Sequence, residues 1–151
     1  MLGKSTQKFI VIFMSLNIVG CSFLNVSNGK IDHSEKKWQA AGVKDYRYSF
    51  VVASLSQDVK CETSREGIDV EVRDGRVAKF GNCGINDDNA TQFGSVDAMF
   101  NTLRKMKSDK PKSIKVIFHE KYGFPESIDV NYSRWFTDHR VQYYVKDFVI
   151  E

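Results

Sequence analysis

The chain has 151 residues, of which 42% are apolar and 27% charged, with 11 Phe, 6 Tyr and 2 Trp. That is enough aromatic mass for one packed domain and too little length for two, so disorder over the whole chain is excluded. Two prolines and 10 glycines exclude collagen-like and proline-rich classes, the absence of any run of 18 apolar residues excludes a multi-span membrane protein, and scattered charge with a net of +3 does not point to nucleic acid.

The first twenty residues read as an export leader. Lys4 and Lys8 form a positive n-region, and Phe9 to Val19 an apolar stretch too short to span a bilayer. Ile18-Val19-Gly20-Cys21 follows, in the pattern of a bacterial lipobox. Small residues there admit a signal peptidase, and the Cys21 thiol can carry diacylglycerol through a thioether. Residues 1–20 are then the signal peptide, 21–31 a lipidated N-terminus and tether rich in Ser, Asn and Gly, and 32–151 a single domain. Without Lys4 and Lys8 the side-chain charge falls to +1. More than one acyl chain anchors stably where a single chain does not. Ser22, a non-Asp residue after the cysteine, suggests outer-membrane sorting by its likeness to Gram-negative lipoproteins. The expected location is therefore the cell envelope, on the outer membrane and facing the periplasm.

With Cys21 acylated, Cys61 and Cys83 remain as an even pair in an exported domain, which reads as a disulfide. Its loop of 22 residue steps corresponds to about 3 kcal/mol in the chain-entropy picture. The rival is a two-thiolate metal site completed by His33, His119 or His139, but no CxxC or HxxxH spacing supports it. Neither metal nor cofactor is expected.

In chain order, Asp32 or Ser34 caps a short helix through Trp38 that Gly42 ends in a left-handed stop. Tyr46, Tyr48, Phe50 and Val52 alternate as a strand. Ile68, Val70 and Val72 form the next, and Asp74-Gly75 makes a two-residue hairpin into Arg76 to Phe80. Val77 and Phe80 fall on opposite faces of that last strand, which points to a bulge near Gly81. Gly84 to Gly94 reads as a polar, mobile loop. Its Asn86-Asp87-Asp88-Asn89 run lacks the full calcium-loop pattern. Ser95 caps a helix whose Val96, Met99, Phe100, Leu103 and Met106 form one apolar stripe.

Arg104 to Lys115 is the densest basic stretch and reads as a solvated helix end and loop, broken at Lys110-Pro111. Ile114, Val116 and Phe118 form a strand, and Tyr122 to Pro125 a turn in which Pro125 stops pairing. Ile128, Val130 and Tyr132 form a strand, as do Val141, Tyr143 and Val145, with Phe148 and Ile150 beyond a bulge. Short links make the sheet antiparallel, so one face needs a cover. The expected fold is α+β in two layers, an antiparallel six-stranded sheet with two helices packed on one face.

Trp38 and Asp45-Tyr46-Arg47-Tyr48 open a set of pieces that continues with Val70 to Val77 and Ser95 to Phe100. Tyr122 to Val130 and Tyr144 to Phe148 complete it. In this order and spacing the chain resembles the bacterial family called domain of unknown function 6174. The resemblance covers most of Trp38 to Phe148 and implies a small exported or lipid-anchored protein. Many members carry Cys-x-Cys after the first strand, whereas here Cys61 stands alone before Glu62-Thr63. The resemblance brings no activity.

Catalytic motifs are absent from the sequence. His119-Glu120 and Asp138-His139 are adjacent pairs, and neighbours on a strand point to opposite faces. Ser56, Ser64 and Ser127 lack a nucleophile-elbow context, and no phosphate-binding glycine loop occurs. The leading expectation is a non-catalytic envelope lipoprotein that binds another envelope protein, with Tyr122, Phe124, Trp135 and Phe136 as contact points. The alternatives are an envelope hydrolase acting on glycan or peptide, or an inhibitor or immunity protein for such a hydrolase.

Overall fold

A computed structural model describes residues 25–54, 67–132 and 140–151. In chain order the elements are α1 (Asn28–Ala41), β1 (Tyr46–Ser54), β2 (Ile68–Arg73), β3 (Arg76–Phe80), α2 (Asp88–Phe93), α3 (Val96–Ser108), β4 (Ser113–Phe118), β5 (Pro125–Asn131) and β6 (Arg140–Ile150). The six strands form one antiparallel sheet in the order β3-β2-β1-β6-β5-β4. Two three-stranded meanders thus meet at β1 and β6, and α2 and α3 carry the chain from one sheet edge to the other. Five inter-strand gaps of about 4.8 Å put those edges roughly 24 Å apart. The 13 residues of α3 cover about 20 Å of that at 1.5 Å per residue. The architecture is the expected two-layer α+β arrangement.

Alternation in the strands sorts the faces. Tyr46, Tyr48 and Phe50 on β1, Ile68, Val70 and Val72 on β2, Ile128 and Val130 on β5, and Val141 and Tyr143 on β6 are all buried. They pack beneath Ile31 and Trp38 of α1 and the Val96, Met99, Phe100, Leu103 and Met106 stripe of α3. Burial of this apolar area is the main stabilising term.

Bulges keep the core face continuous. Val72 pairs with Val77 and Glu71 with Lys79, so Ala78 is the extra residue in β3. This turns both Val77 and Phe80 towards the core, and the bulge lies inside the strand, upstream of Gly81. In β6, Arg47 pairs with Val149 and Ser49 with Lys146, and Asp147 takes φ 51°. The skipped step brings Phe148 onto the core face, 4.2 Å from the Phe124 ring.

Several expectations are corrected. The first helix starts at Asn28 with Ser27 as its cap, inside the stretch read as tether, because Val26 and Ile31 are buried. Gly84 to Gly94 is more than a loop: Asp87 caps α2, whose Ala90 and Phe93 are buried, so the helical layer has a third, short member. Pro125 opens β5 opposite Phe118 across a bulge, where a break in pairing was expected. The Gly42 stop (φ 62°) and the Asp74-Gly75 hairpin (φ 47° and 71°) are as expected.

Candidate functional site

Two tyrosines fix the helical layer to the sheet. The Tyr46 hydroxyl accepts from the Val96 N–H at 3.0 Å, which satisfies one of the unpaired donors at the start of α3. The Tyr48 hydroxyl donates to the Phe93 carbonyl at the end of α2. Burial pushes the Tyr46 phenol up to about 12, and holds that of Tyr48 well above its ordinary value. Arg104 of α3 then reaches Glu35 at 2.5 and 3.1 Å and Asp32 at 3.0 Å, joining α3 to α1. The Trp38 indole N–H bonds Asp97, whose pKa is nevertheless raised, by desolvation first and the nearby Glu35 second.

All three helices sit on this side. On the opposite face, among the described residues, no helix packs. There the registers align one row across the sheet: Ile117 of β4 pairs with Ser127, Ser127 with Tyr144, and Tyr144 with Val51. Ile117 is 62% exposed, while Tyr144 and Val51 are half-buried. Strand alternation assigns these positions to water, yet three of the four carry apolar or aromatic side chains.

Polar rows flank the stripe. On one side Lys115 pairs with Asp129 and Asp129 with Gln142. Arg140 bonds Asp129 through Nε at 2.9 Å and through a second guanidinium nitrogen, and Gln142 donates to it at 3.3 Å. The Arg140 hydrogen bonds hold the Asp129 carboxyl below its ordinary value against the desolvation that raises it, aided by Gln142 and by the charges of Arg140 and Lys115. A basin of about 300 Å³ is lined by Ile117, Ser127, Asp129, Gln142 and Tyr144. On the other side Arg47, Ser49, Asp69, Glu71 and Lys79 border a basin of about 520 Å³. The face can hold an apolar side chain in the stripe while charges of both signs set its register.

The expected contact residues are distributed differently. Phe124 is 2% exposed and stacks on Phe148 and His119, so it is a core residue and is withdrawn as a contact point. Tyr122 is half-buried and packs against His119. Trp135 and Phe136 lie outside the described residues, as do Cys21 and Cys61. Cys83 forms a bridge to Phe80 just beyond β3.

His119 builds the β4–β5 turn. Its Nδ1 accepts from the Lys121 and Tyr122 N–H groups, each at 3.2 Å. Accepting these bonds engages the Nδ1 lone pair in the turn. The basin beside it, about 630 Å³, is lined by Glu120, Lys121 and Glu126. His33 is exposed on α1. Among the described residues, no three His, Cys, Asp or Glu side chains converge as metal ligands would, and no helix is long and apolar enough to cross a membrane.

Comparison with known families matches residues 30–150 to the family of unknown function DUF6174. The chain belongs to that family. The match runs from the first turn of α1 to the end of β6 and so takes in the whole sheet and its helical cover. No curated protein and no solved structure matches the chain. The residues that sequence reasoning missed are Val51, Ile117 and Tyr144. Their signal was an apolar residue at an outward-facing strand position, and only the register shows that the three share one row.

Proposed function

We propose that this member of the DUF6174 family is a lipid-anchored protein of the bacterial envelope that works as a non-catalytic interaction module, holding another envelope protein on the uncovered face of its sheet. The observation that carries this reading is the row Ile117–Ser127–Tyr144–Val51 on a face without a helical cover among the described residues. Anchoring is supported by the leader and by Ile18-Val19-Gly20-Cys21. Anchorage on the outer membrane, facing the periplasm, follows from Ser22 by the same likeness.

The Cys61–Cys83 disulfide belongs to the same reading. The Gly81 N–H donates to the Asp69 carbonyl at 2.8 Å and Phe80 pairs with Val70, so Cys83 stands at the end of the sheet where the β1–β2 connection enters β2. A bond to Cys61 would staple that connection to the β3–α2 corner.

The test is crosslinking in intact cells with the acylated protein, comparing wild type with Ile117→Ser plus Tyr144→Ser. Both positions face away from the core, so the fold should be kept with a loss of only about 1–2 kcal/mol from cross-strand pairing, and capture of the partner should fall at least about tenfold, as for the loss of central contact residues. Full capture by the double variant would remove the uncovered face from the reading. Loss of membrane retention and of palmitate label in Cys21→Ala tests the anchor separately.

A further inference from the structure

The start of the described chain is fastened to the sheet edge. The Asn25 side-chain oxygen accepts from the Ile114 N–H at 2.7 Å, and the Val26 N–H donates to the Ile114 carbonyl at 2.9 Å. Lys107 at the end of α3 donates to the Val26 carbonyl at 2.7 Å. The last residues before α1 therefore lie along β4, beside the α3 C-terminus.

This fixes where an anchor would be. Cys21 precedes Asn25 by four residues, and four residue steps reach at most roughly 14 Å. The basic stretch adjoins this attachment: Lys107, bonded to Val26, shares the last turn of α3 with Lys105, and Lys110 and Lys112 lie in the link to β4. Lys105, Lys110 and Lys112 are exposed. Asp109 is the acid among them. Tyr132, 41% exposed, follows β5 next to this link, since Ser113 pairs with Asn131 and the Asp109 charge acts on its hydroxyl. Four lysines against one aspartate, with an amphipathic ring alongside, suit a negatively charged interface.

We propose that this corner, Lys105, Lys110, Lys112 and Tyr132, lies against anionic phospholipid headgroups, so that the anchored domain has a fixed orientation on the membrane. The proposal rests on the reading of Cys21 as the anchor. Lysines near an anionic surface add an attraction that salt screens within about 8 Å at physiological strength. They therefore act as a second membrane signal beside the acyl chains. The other edge of the sheet, at β3, points away.

The test reconstitutes the full protein, purified from membranes, into phosphatidylcholine vesicles with or without phosphatidylglycerol. An amine-reactive reagent and mass spectrometry then give a labelling rate for each lysine. Lys105, Lys110 and Lys112 should label about threefold more slowly or less on the phosphatidylglycerol vesicles, with the difference abolished by high salt. Lys79, on the far edge strand, should label equally on both. Equal rates for the three lysines on the two vesicle types would overturn the proposal. Intact mass of the same preparation reports acylation of Cys21 independently. An unacylated chain would refute the anchor itself, whatever the lysines do.

Discussion

Removing the Tyr48 hydroxyl probes how the helical layer is held. In Tyr48→Phe the ring keeps its place beside Tyr46 and Phe148, with centroids 6.1 and 6.2 Å away, so packing is conserved. What is lost is the bond to the Phe93 carbonyl. Phe93 is 2% exposed, so little water can replace the donor. A buried acceptor left unpaired costs about 1–3 kcal/mol, against about 1 kcal/mol for an exposed hydrogen bond. For a domain of this size that is roughly 3–5 °C in Tm per kcal/mol. Tyr46→Phe should cost a similar amount, because it leaves the fully buried Val96 N–H without its acceptor. Both hydroxyls hold the same corner between α2 and α3, so the double variant should lose less than the two single losses added together. The assay is thermal and urea unfolding by circular dichroism, with Tyr132→Phe as an exposed control. Single variants that melt within about 1 °C of wild type would refute the latch, since the expected loss is several times that.

Buried tyrosines also set the alkaline limit. Tyr46 and Tyr143 are both pushed to about 12 by burial, so the fold favours the neutral phenol. That stability is complete below the ordinary value near 10 and disappears as pH rises through about 12. Two units correspond to about 2.7 kcal/mol for Tyr46, to be read from urea midpoints on a pH series alongside phenolate absorbance. Gly123 has φ 81°, and a Cβ there would lie 2.8 Å from the Lys37 Cβ and closer still to the Ser34 carbonyl. Gly123→Ala should therefore cost at least about 2 kcal/mol in urea unfolding. Asp129, held low by Arg140, contributes stability present above its unfolded value near 4 and lost as pH falls through its folded one. Asp129→Asn should flatten the acid limb of a stability profile. Free-thiol counting on the non-reduced mature protein should find neither Cys61 nor Cys83, and two reactive thiols would refute that pair.

Strands and their faces were legible because alternation is a local property. Tyr46 to Val52 and Ile68 to Val72 state their buried side in every second residue. The α3 stripe did the same at helical spacing, and the Ser95 cap marked its start. What escaped was decided by distant contacts. Phe93 is a core residue because Phe50 and Tyr143 stack on it at 4.7 and 4.5 Å, and nothing in its polar neighbourhood says so. Six residues of α2 are too few for a periodic signal. Val77 and Phe80 announced a bulge, but its position at Ala78 depends on the β2 register. Phe124 looked like an exposed turn aromatic beside Gly123. It is buried because Trp38 and Phe148 come from far along the chain to meet it. The uncovered row was hidden for the same reason, since Val51, Ile117 and Tyr144 become neighbours only through pairing.

The central claim is that the uncovered face of the sheet is where a partner is held. Its most direct test places a photo-crosslinking residue at Tyr144, at Ile117 or at Gln39, the last exposed on α1, and irradiates intact cells. The account predicts one defined adduct from positions 144 and 117 and none from position 39. Adducts from position 39 with none from the sheet face would contradict it.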